Sequence, residues 1–189
     1  MAQEIEIEYK TLLTKHNYET LLQTFFSKVD PIVQINYYFE TKNFALKKHR
    51  SALRIREKND AYTLTLKEPH PEGILETHDS LSIDELQQWT QNNAVSKPNI
   101  SKQLAAIGIS ENDLIYYGAL KTTRHSFRQA DIIYVLDKSM YNGVTDYELE
   151  IEAPTKQRGK EALRGLLEKF QITKQQSITK IKRFFTTLP

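Results

Sequence analysis

The chain has 189 residues and no cysteine. That single absence excludes disulfide frameworks, cysteine-zinc sites, iron–sulfur clusters and thiol nucleophiles. No charge of one sign dominates either. Lys and Arg number 26 against 24 Asp and Glu, a formal net charge of +2, so neither a nucleic-acid-binding tail nor an acidic coat is indicated. No apolar run approaches the ~18 residues of a membrane span. The opening MAQEIEIEYK is acidic and lacks the apolar core of a signal peptide, so a cytoplasmic protein without membrane contact is expected. There is no P-loop, no G-x-G-x-x-G and no G-x-S-x-G. No repeat, low-complexity tract or linker divides the chain, and a single domain over 1–189 is the economical expectation. With 26% charged and 39% hydrophobic residues, the composition is that of a folded globular protein.

What is present is alternation. Residues 4–10 place Glu4, Glu6, Glu8 and Lys10 on one face of a strand and Ile5, Ile7 and Tyr9 on the other. A helix from about Thr14 carries the stripe Tyr18, Leu21, Leu22, Phe25, and residues 32–41, rich in β-branched and aromatic side chains, form a strand. Residues 51–57 and 61–68 form a hairpin around Lys58-Asn59-Asp60. There Arg54 and Arg56 oppose Leu53 and Ile55, while Thr63, Thr65 and Lys67 oppose Tyr62, Leu64 and Leu66. A short strand follows at 73–77. Ser82 and Glu85 make a capping-box pair for a helix reaching about Asn92, and a second short helix ends at Gly108. Strands are expected at 120–127, 132–138 and 145–153, the last after the Asn142-Gly143 turn. Two helices close the chain, one striped by Leu163, Leu166, Leu167 and Phe170, the other capped by Ser177. The class is α+β with mainly antiparallel strands.

Polar alternation alone fits the wet side of any antiparallel sheet. Its composition is less ordinary. Glutamates recur at 4, 6 and 8 and again at 148, 150 and 152, and an unmixed arginine pair stands at 54 and 56. Like charges ~7 Å apart on a strand repel by about 0.6 kcal/mol in water, and by several-fold more at a lower dielectric. Such stripes call for cations, from neighbouring Lys and Arg or from a hard divalent ion on carboxylate oxygens. Arg54, Arg56, Lys67 and Arg124, on polar faces of predicted strands, could together grip several phosphate oxygens. Acids for metal and bases for phosphate suit a polyphosphate–metal complex. The histidines at 16, 49, 70, 78 and 125 show no metal-ligand spacing and read as surface or loop residues. Trp89 and the tyrosines read as core. The run Lys47-Lys48-His49-Arg50 reads as a solvated hairpin shoulder.

Glu6-Ile7-Glu8-Tyr9-Lys10 is an E-x-E-x-K pattern at the start of the chain. In order after it come Tyr37-Tyr38-Phe39, Leu53-Arg54-Ile55-Arg56, Thr65-Leu66-Lys67, Glu76, Thr122-Thr123-Arg124, Asp137, Glu148-Leu149-Glu150 and Lys180-Ile181-Lys182-Arg183-Phe184. In this order the chain resembles the CYTH superfamily, the triphosphate tunnel metalloenzymes, and within it the small bacterial members of the YjbK type. The resemblance implies an eight-stranded antiparallel β-barrel, open as a tunnel, with a charged interior and helices outside. It implies a Mg²⁺- or Mn²⁺-dependent enzyme acting on a small-molecule triphosphate. Glu6, Glu8, Glu148 and Glu150 would hold metal and orient water, and Glu76 and Asp137 would complete the metal-binding acidic wall. Lys10, Arg54, Arg56, Lys67, Arg124 and Lys180 would bind the phosphate chain. Members of the family often carry two basic residues where this chain has Thr65 and Lys67. Both Glu150 or Glu152, and Lys180 or Lys182, stay open as the site member. The leading expectation is hydrolysis with release of orthophosphate. Adenylate cyclase, thiamine triphosphatase or a silent polyphosphate-binding module are the alternatives, and no nucleic-acid partner is expected.

Overall fold

The structure is a computed structural model and describes residues 2–176 and 178–188. Its architecture is α+β, with antiparallel strands and helices packed on their apolar faces. The strands are β1 (Gln3–Glu6), β2 (Glu8–Leu13), β3 (Ile32–Thr41), β4 (Ala52–Lys58), β5 (Ala61–Pro69), β6 (Ile74–Leu81), β7 (Leu114–Gln129), β8 (Ile132–Tyr141) and β9 (Val144–Glu152). The helices are α1 (Lys15–Thr24), α2 (Ala45–Lys48), α3 (Ile83–Thr90), α4 (Pro98–Ala106), α5 (Lys156–Lys169) and α6 (Lys180–Thr186). The described residues thus hold nine strands where eight were expected. The extra one arises because the N-terminal run breaks at Ile7, β1 lying beside β6 and β2 beside β9.

Two compact units divide the chain. Unit 1 comprises residues 1–5 and 34–120, and unit 2 comprises 6–33 and 121–189. In unit 1 the strand order is β1-β6-β5-β4-β3-β7, and in unit 2 it is β7-β8-β9-β2, the long strand β7 contributing one half to each. The β4–β5 hairpin turns through Asn59 and Asp60, both left-handed at φ 50° and 58°, the two-residue turn that matches strand twist. Asn142 and Gly143 do the same between β8 and β9, at φ 45° and 76°.

Alternation separates two faces in each unit. In unit 1, Leu53, Ile55, Leu64, Leu66 and Phe39 meet Trp89 of α3 and Ile100 and Leu104 of α4. The capping box of α3 is complete, Glu85 N–H donating to Ser82 Oγ and Ser82 N–H to Glu85 Oε2. In unit 2, Leu13, Leu136, Leu149 and Ile151 pack on Leu21 of α1 and on Leu163, Leu166 and Leu167 of α5. Tyr9 lies so close to Gly159 of α5 that a Cβ there would sit 2.5 Å from its ring. Only glycine lets helix and strand approach this far.

Three expectations need correction beyond the strand count. The strand at 73–77 continues to Leu81, and the strand at 120–127 begins at Leu114, running straight through Gly118 (φ 133°). The basic run at 47–50 is exposed, as expected, and overlaps the short helix α2, whose N–H groups at Leu46 and Lys47 donate to the buried Glu40 carboxylate. The histidines are not all peripheral: His78 lies on β6, and His125 is a buried residue of β7. The cap at Ser177 lies outside the described residues; α6 itself starts after Thr179. Among the described residues no helix is long and apolar enough to cross a membrane.

Candidate functional site

The charged face of unit 2 follows from strand register. Arg124 pairs directly with Asp137, Asp137 with Glu148, and Lys10 with Glu150. Residues opposite one another project to the same side, so Lys10, Arg124, Asp137, Glu148 and Glu150 share one face. One helix also comes to this face. Thr11 Oγ accepts from Gln175 N–H at 2.9 Å, anchoring the segment that follows α5. The chain then enters α6, whose Lys180 and Arg183, three residues apart, share a side.

Lys180 Nζ stands at the centre, 2.8 Å from Asp137, 2.5 Å from Glu148 and 2.6 Å from Glu150. The Arg124 fork reaches Asp137 through both oxygens, at 2.8 and 2.6 Å, and Glu150 Oε2 at 2.8 Å. Arg183 donates to Glu148 Oε2 at 2.8 Å and to Asp146 Oδ2 at 2.8 Å. Lys10 pairs with Glu8. Asp137, Glu148 and Glu150 are all buried, and their carboxylate oxygens lie within 4.8 Å of one another.

Burial alone would depress the Lys180 ammonium, but Asp137, Glu150 and Glu148 outweigh it and hold Lys180 charged well above the ordinary lysine range. Burial likewise opposes ionisation of Glu150, yet Lys180, Arg124 and Lys10 keep its carboxyl well below the usual value. Asp137 is lowered in the same way, burial being outweighed by Lys180 and Arg124. Glu148 moves the other way: burial and the Glu150 charge raise it despite Lys180 and Arg183. Adjacent carboxylates with affinities driven apart are the arrangement that lets one accept and one hold a proton. Further along the stripe, burial with Glu6, Glu150 and Glu8 pushes Glu152 up to about 7, although Arg124 pulls it down. That end carries negative charge the cations only partly offset.

In unit 1 the charged face is formed by β3 to β6. Arg54 pairs across β4 and β5 with Thr65, Arg56 with Thr63, and Lys67 with Glu76 of β6. The two arginines face neutral cross-strand partners, whereas Lys67 faces an acid. Arg56 Nε donates to Asn36 Oδ1 at 3.2 Å, and Lys67 pairs with Glu76. Arg54 Nε is shielded from solvent and has no acceptor among the described residues. A buried cationic donor with no acceptor is costly and suits a site that receives an anion.

The structure therefore brings Glu8, Lys10, Arg124, Asp137, Glu148, Glu150 and Lys180 into one network in unit 2, and Lys67 and Glu76 together in unit 1. Glu6 belongs to the acidic end near Glu152. Between the open pairs, Lys180 is the buried network member and Lys182 is exposed, while Glu150 sits inside the network and Glu152 at its edge. Sequence reasoning assigned nothing to Arg183, Asp146 or Tyr141, which donates to Asp146 Oδ2 at 2.7 Å. The three-residue spacing from Lys180 was the signal for Arg183, and the period-2 extension of the stripe below Glu148 was the signal for Asp146.

The hard oxygen donors of Asp137, Glu148 and Glu150 suit Mg²⁺ or Mn²⁺ chemically. The two-residue register that aligns Glu148, Glu150 and Glu152 extends that donor set toward Glu6 and Glu8. A match to the CYTH domain model spans residues 4–185. The chain belongs to the CYTH family. It is 39% identical over 187 residues to YjbK of Bacillus subtilis strain 168, a triphosphatase by its provisional name, covering 98% of this chain and 96% of that protein. A solved structure from Bacillus halodurans, provisionally named an adenylate cyclase, superposes with a TM-score of 0.92 at 38% identity, covering 98% of this chain and 100% of the other. HpAC1 from Hippeastrum, an adenylyl cyclase by provisional name and described as having a dominant triphosphatase activity, matches with a TM-score of 0.80 at 25% identity over 96% of each chain.

Proposed function

We propose that this protein is a metal-dependent triphosphatase, acting as one CYTH domain on inorganic triphosphate or a triphosphate ester and releasing orthophosphate. The observation that supports it most directly is the interlocked network of unit 2, where the buried carboxylates Asp137, Glu148 and Glu150 are met by the half-buried Lys180 and Arg124 and by the buried Arg183. Acids and bases in contact are the two halves of a site for a metal–triphosphate complex, each held ready by the other. On binding, Glu6, Glu8, Glu148 and Glu150, with Asp137, would hold Mg²⁺ or Mn²⁺, while Glu76 lends its carboxylate to the charged face of unit 1. Lys10, Arg124 and Lys180 would turn from carboxylate to phosphate oxygens, and in unit 1 Arg54, Arg56 and Lys67 are the candidates for binding phosphate oxygens. The exchange keeps each charge partnered.

The metal supplies Lewis-acid neutralisation of the phosphate oxygens. The chain would supply position: Lys180 and Arg124 would stabilise charge on the transferred and leaving groups, and the carboxylates that hold the metal, Glu148 among them, would orient the attacking water. No nucleophilic side chain is needed. The adenylate cyclase names among relatives make cyclisation the second reading, and with ATP the products separate them: ADP and orthophosphate for hydrolysis, the cyclic monophosphate and pyrophosphate for cyclisation. The test is phosphate release over inorganic triphosphate, ATP and thiamine triphosphate with Mg²⁺ or Mn²⁺, in wild type and Glu150→Gln. Turnover should vanish in EDTA and fall about 10²–10³-fold in the variant. Binding of triphosphate without turnover in the wild type would leave a silent binding module instead.

A further inference from the structure

His78 of β6 was read from the sequence as peripheral, yet its ring is held at both nitrogens. Thr65 Oγ lies 3.0 Å from Nδ1. Nε2 faces two carboxylates, Glu4 Oε1 at 3.3 Å, a long hydrogen bond, and Glu76 Oε2 at 3.6 Å. Lys67 engages the other oxygen of Glu76. One nitrogen carries at most one proton, which can point at only one of the two carboxylates. Both separations also exceed the about 2.7–2.9 Å of a charge-assisted N–H···O bond. They match something else. Bonds of about 2.0–2.2 Å at tetrahedral angles put the ligand atoms of a four-coordinate zinc site about 3.4 Å apart.

We propose that Glu4, Glu76 and His78 form a second metal site, in unit 1, which takes a borderline transition cation of the Zn²⁺ or Co²⁺ class. The strands place its ligands. Glu76 and His78 stand two residues apart on one face of β6, and β1 brings Glu4 alongside, His78 N–H donating to the Ala2 carbonyl at 2.8 Å. If Nδ1–H donates to the Thr65 hydroxyl, the Nε2 lone pair is directed at the carboxylates, which is how an outer hydroxyl fixes a ligating tautomer. An imidazole among the donors distinguishes this set from the all-oxygen carboxylates of unit 2, because nitrogen favours Zn²⁺ and Co²⁺ over Mg²⁺. Glu76 is shared with the family's expected acidic wall. The site nevertheless stands independently of triphosphate hydrolysis.

The experiment is a Co²⁺ titration of the full chain, followed by calorimetry and visible absorption, with Mg²⁺ in excess. The wild type should bind one Co²⁺ with the intense bands of a nitrogen-containing site of low coordination number. His78→Ala should lose those bands. Glu4→Gln, a change at an exposed side chain that keeps the fold safe, and Thr65→Val should each weaken binding about tenfold or more. Glu150→Gln should keep both bands and affinity. Wild-type Co²⁺ binding in His78→Ala, a spectrum typical of oxygen ligands alone, or loss of the bands in Glu150→Gln would each overturn the proposal. Failure of phosphate release would leave these readouts untouched, so the two readings fail separately.

Discussion

The charged faces of the two units are made from the same kind of strand and solve opposite problems. In unit 2, Asp137, Glu148 and Glu150 are buried and each is met by Lys180, Arg124 or Arg183. In unit 1 the arginines of β4 stand among Thr63, Thr65 and Asn36, and Arg54 keeps a buried N–H without an acceptor among the described residues. On one face the buried acids are met by bases; on the other the arginine pair faces neutral cross-strand partners. Burying a charge is tolerable only when it is paired and hydrogen-bonded. Unit 2 satisfies that rule within itself, whereas unit 1 leaves part of the requirement to an incoming anion.

If so, removing one cation should have unequal effects. Lys180→Met keeps the aliphatic stem but takes the ammonium from the centre of three carboxylates, and should cost about 3–5 kcal/mol of stability. The loss should shrink toward acid pH. Without Lys180 the carboxylates gain protons more readily in the folded state, so stability falls as pH rises. Chemical denaturation at two pH values checks both statements. A variant as stable as wild type at neutral pH would mean that Arg124 and Arg183 suffice to neutralise the cluster.

Unit 2 also depends on exact backing of its charged strand. Gly159→Ala would drive a methyl group into the Tyr9 ring, which sits one residue from both Glu8 and Lys10. We expect a loss of about 1–3 kcal/mol from overpacking. Pairing this change with Tyr9→Leu should recover part of it, and additivity in that cycle would dissociate the two residues. In unit 1, Arg56→Ala removes one hydrogen bond to Asn36 and should cost only about 1 kcal/mol. Its effect should instead be on triphosphate affinity, measured by calorimetry. A large stability loss with unchanged affinity would make Arg56 a structural residue and erase the contrast between the faces.

Much of this contrast was legible in the sequence, because period-2 alternation assigns strand faces directly. Glu148 and Glu150, Arg54 and Arg56 fell on the charged faces that register confirms. Turn chemistry placed both hairpins, and the Ser82–Glu85 pair placed α3. Tertiary facts were not legible. Nothing local shows that Ile7 divides one alternating run between two neighbouring strands. Gly118 reads as a breaker, yet β7 carries it. The return of α6 to the charged face, through the Thr11–Gln175 contact, joins residues 164 positions apart, and with it Arg183 becomes a partner of Glu148. His78 was missed because one companion, Glu4, comes from the distant strand β1, while Glu76 two residues away reads as ordinary strand alternation.

The smallest effect concerns the opposite side of the unit 2 strands. His125 is buried on the apolar face, its Nδ1 without a partner among the described residues. Burial lowers its proton affinity below the usual 6.5, and Asp137 and Asp30 only partly counter this. The unfolded chain therefore takes up a proton near that value while the folded protein does not. Stability contributed by neutral His125 is complete above the unfolded pKa and is lost as pH falls through it. His125→Leu cannot titrate and leaves no orphan nitrogen. Its melting temperature relative to wild type should therefore improve between about pH 8 and about pH 5.5. A difference independent of pH would show that protonation of His125 contributes nothing to the acid sensitivity of this unit.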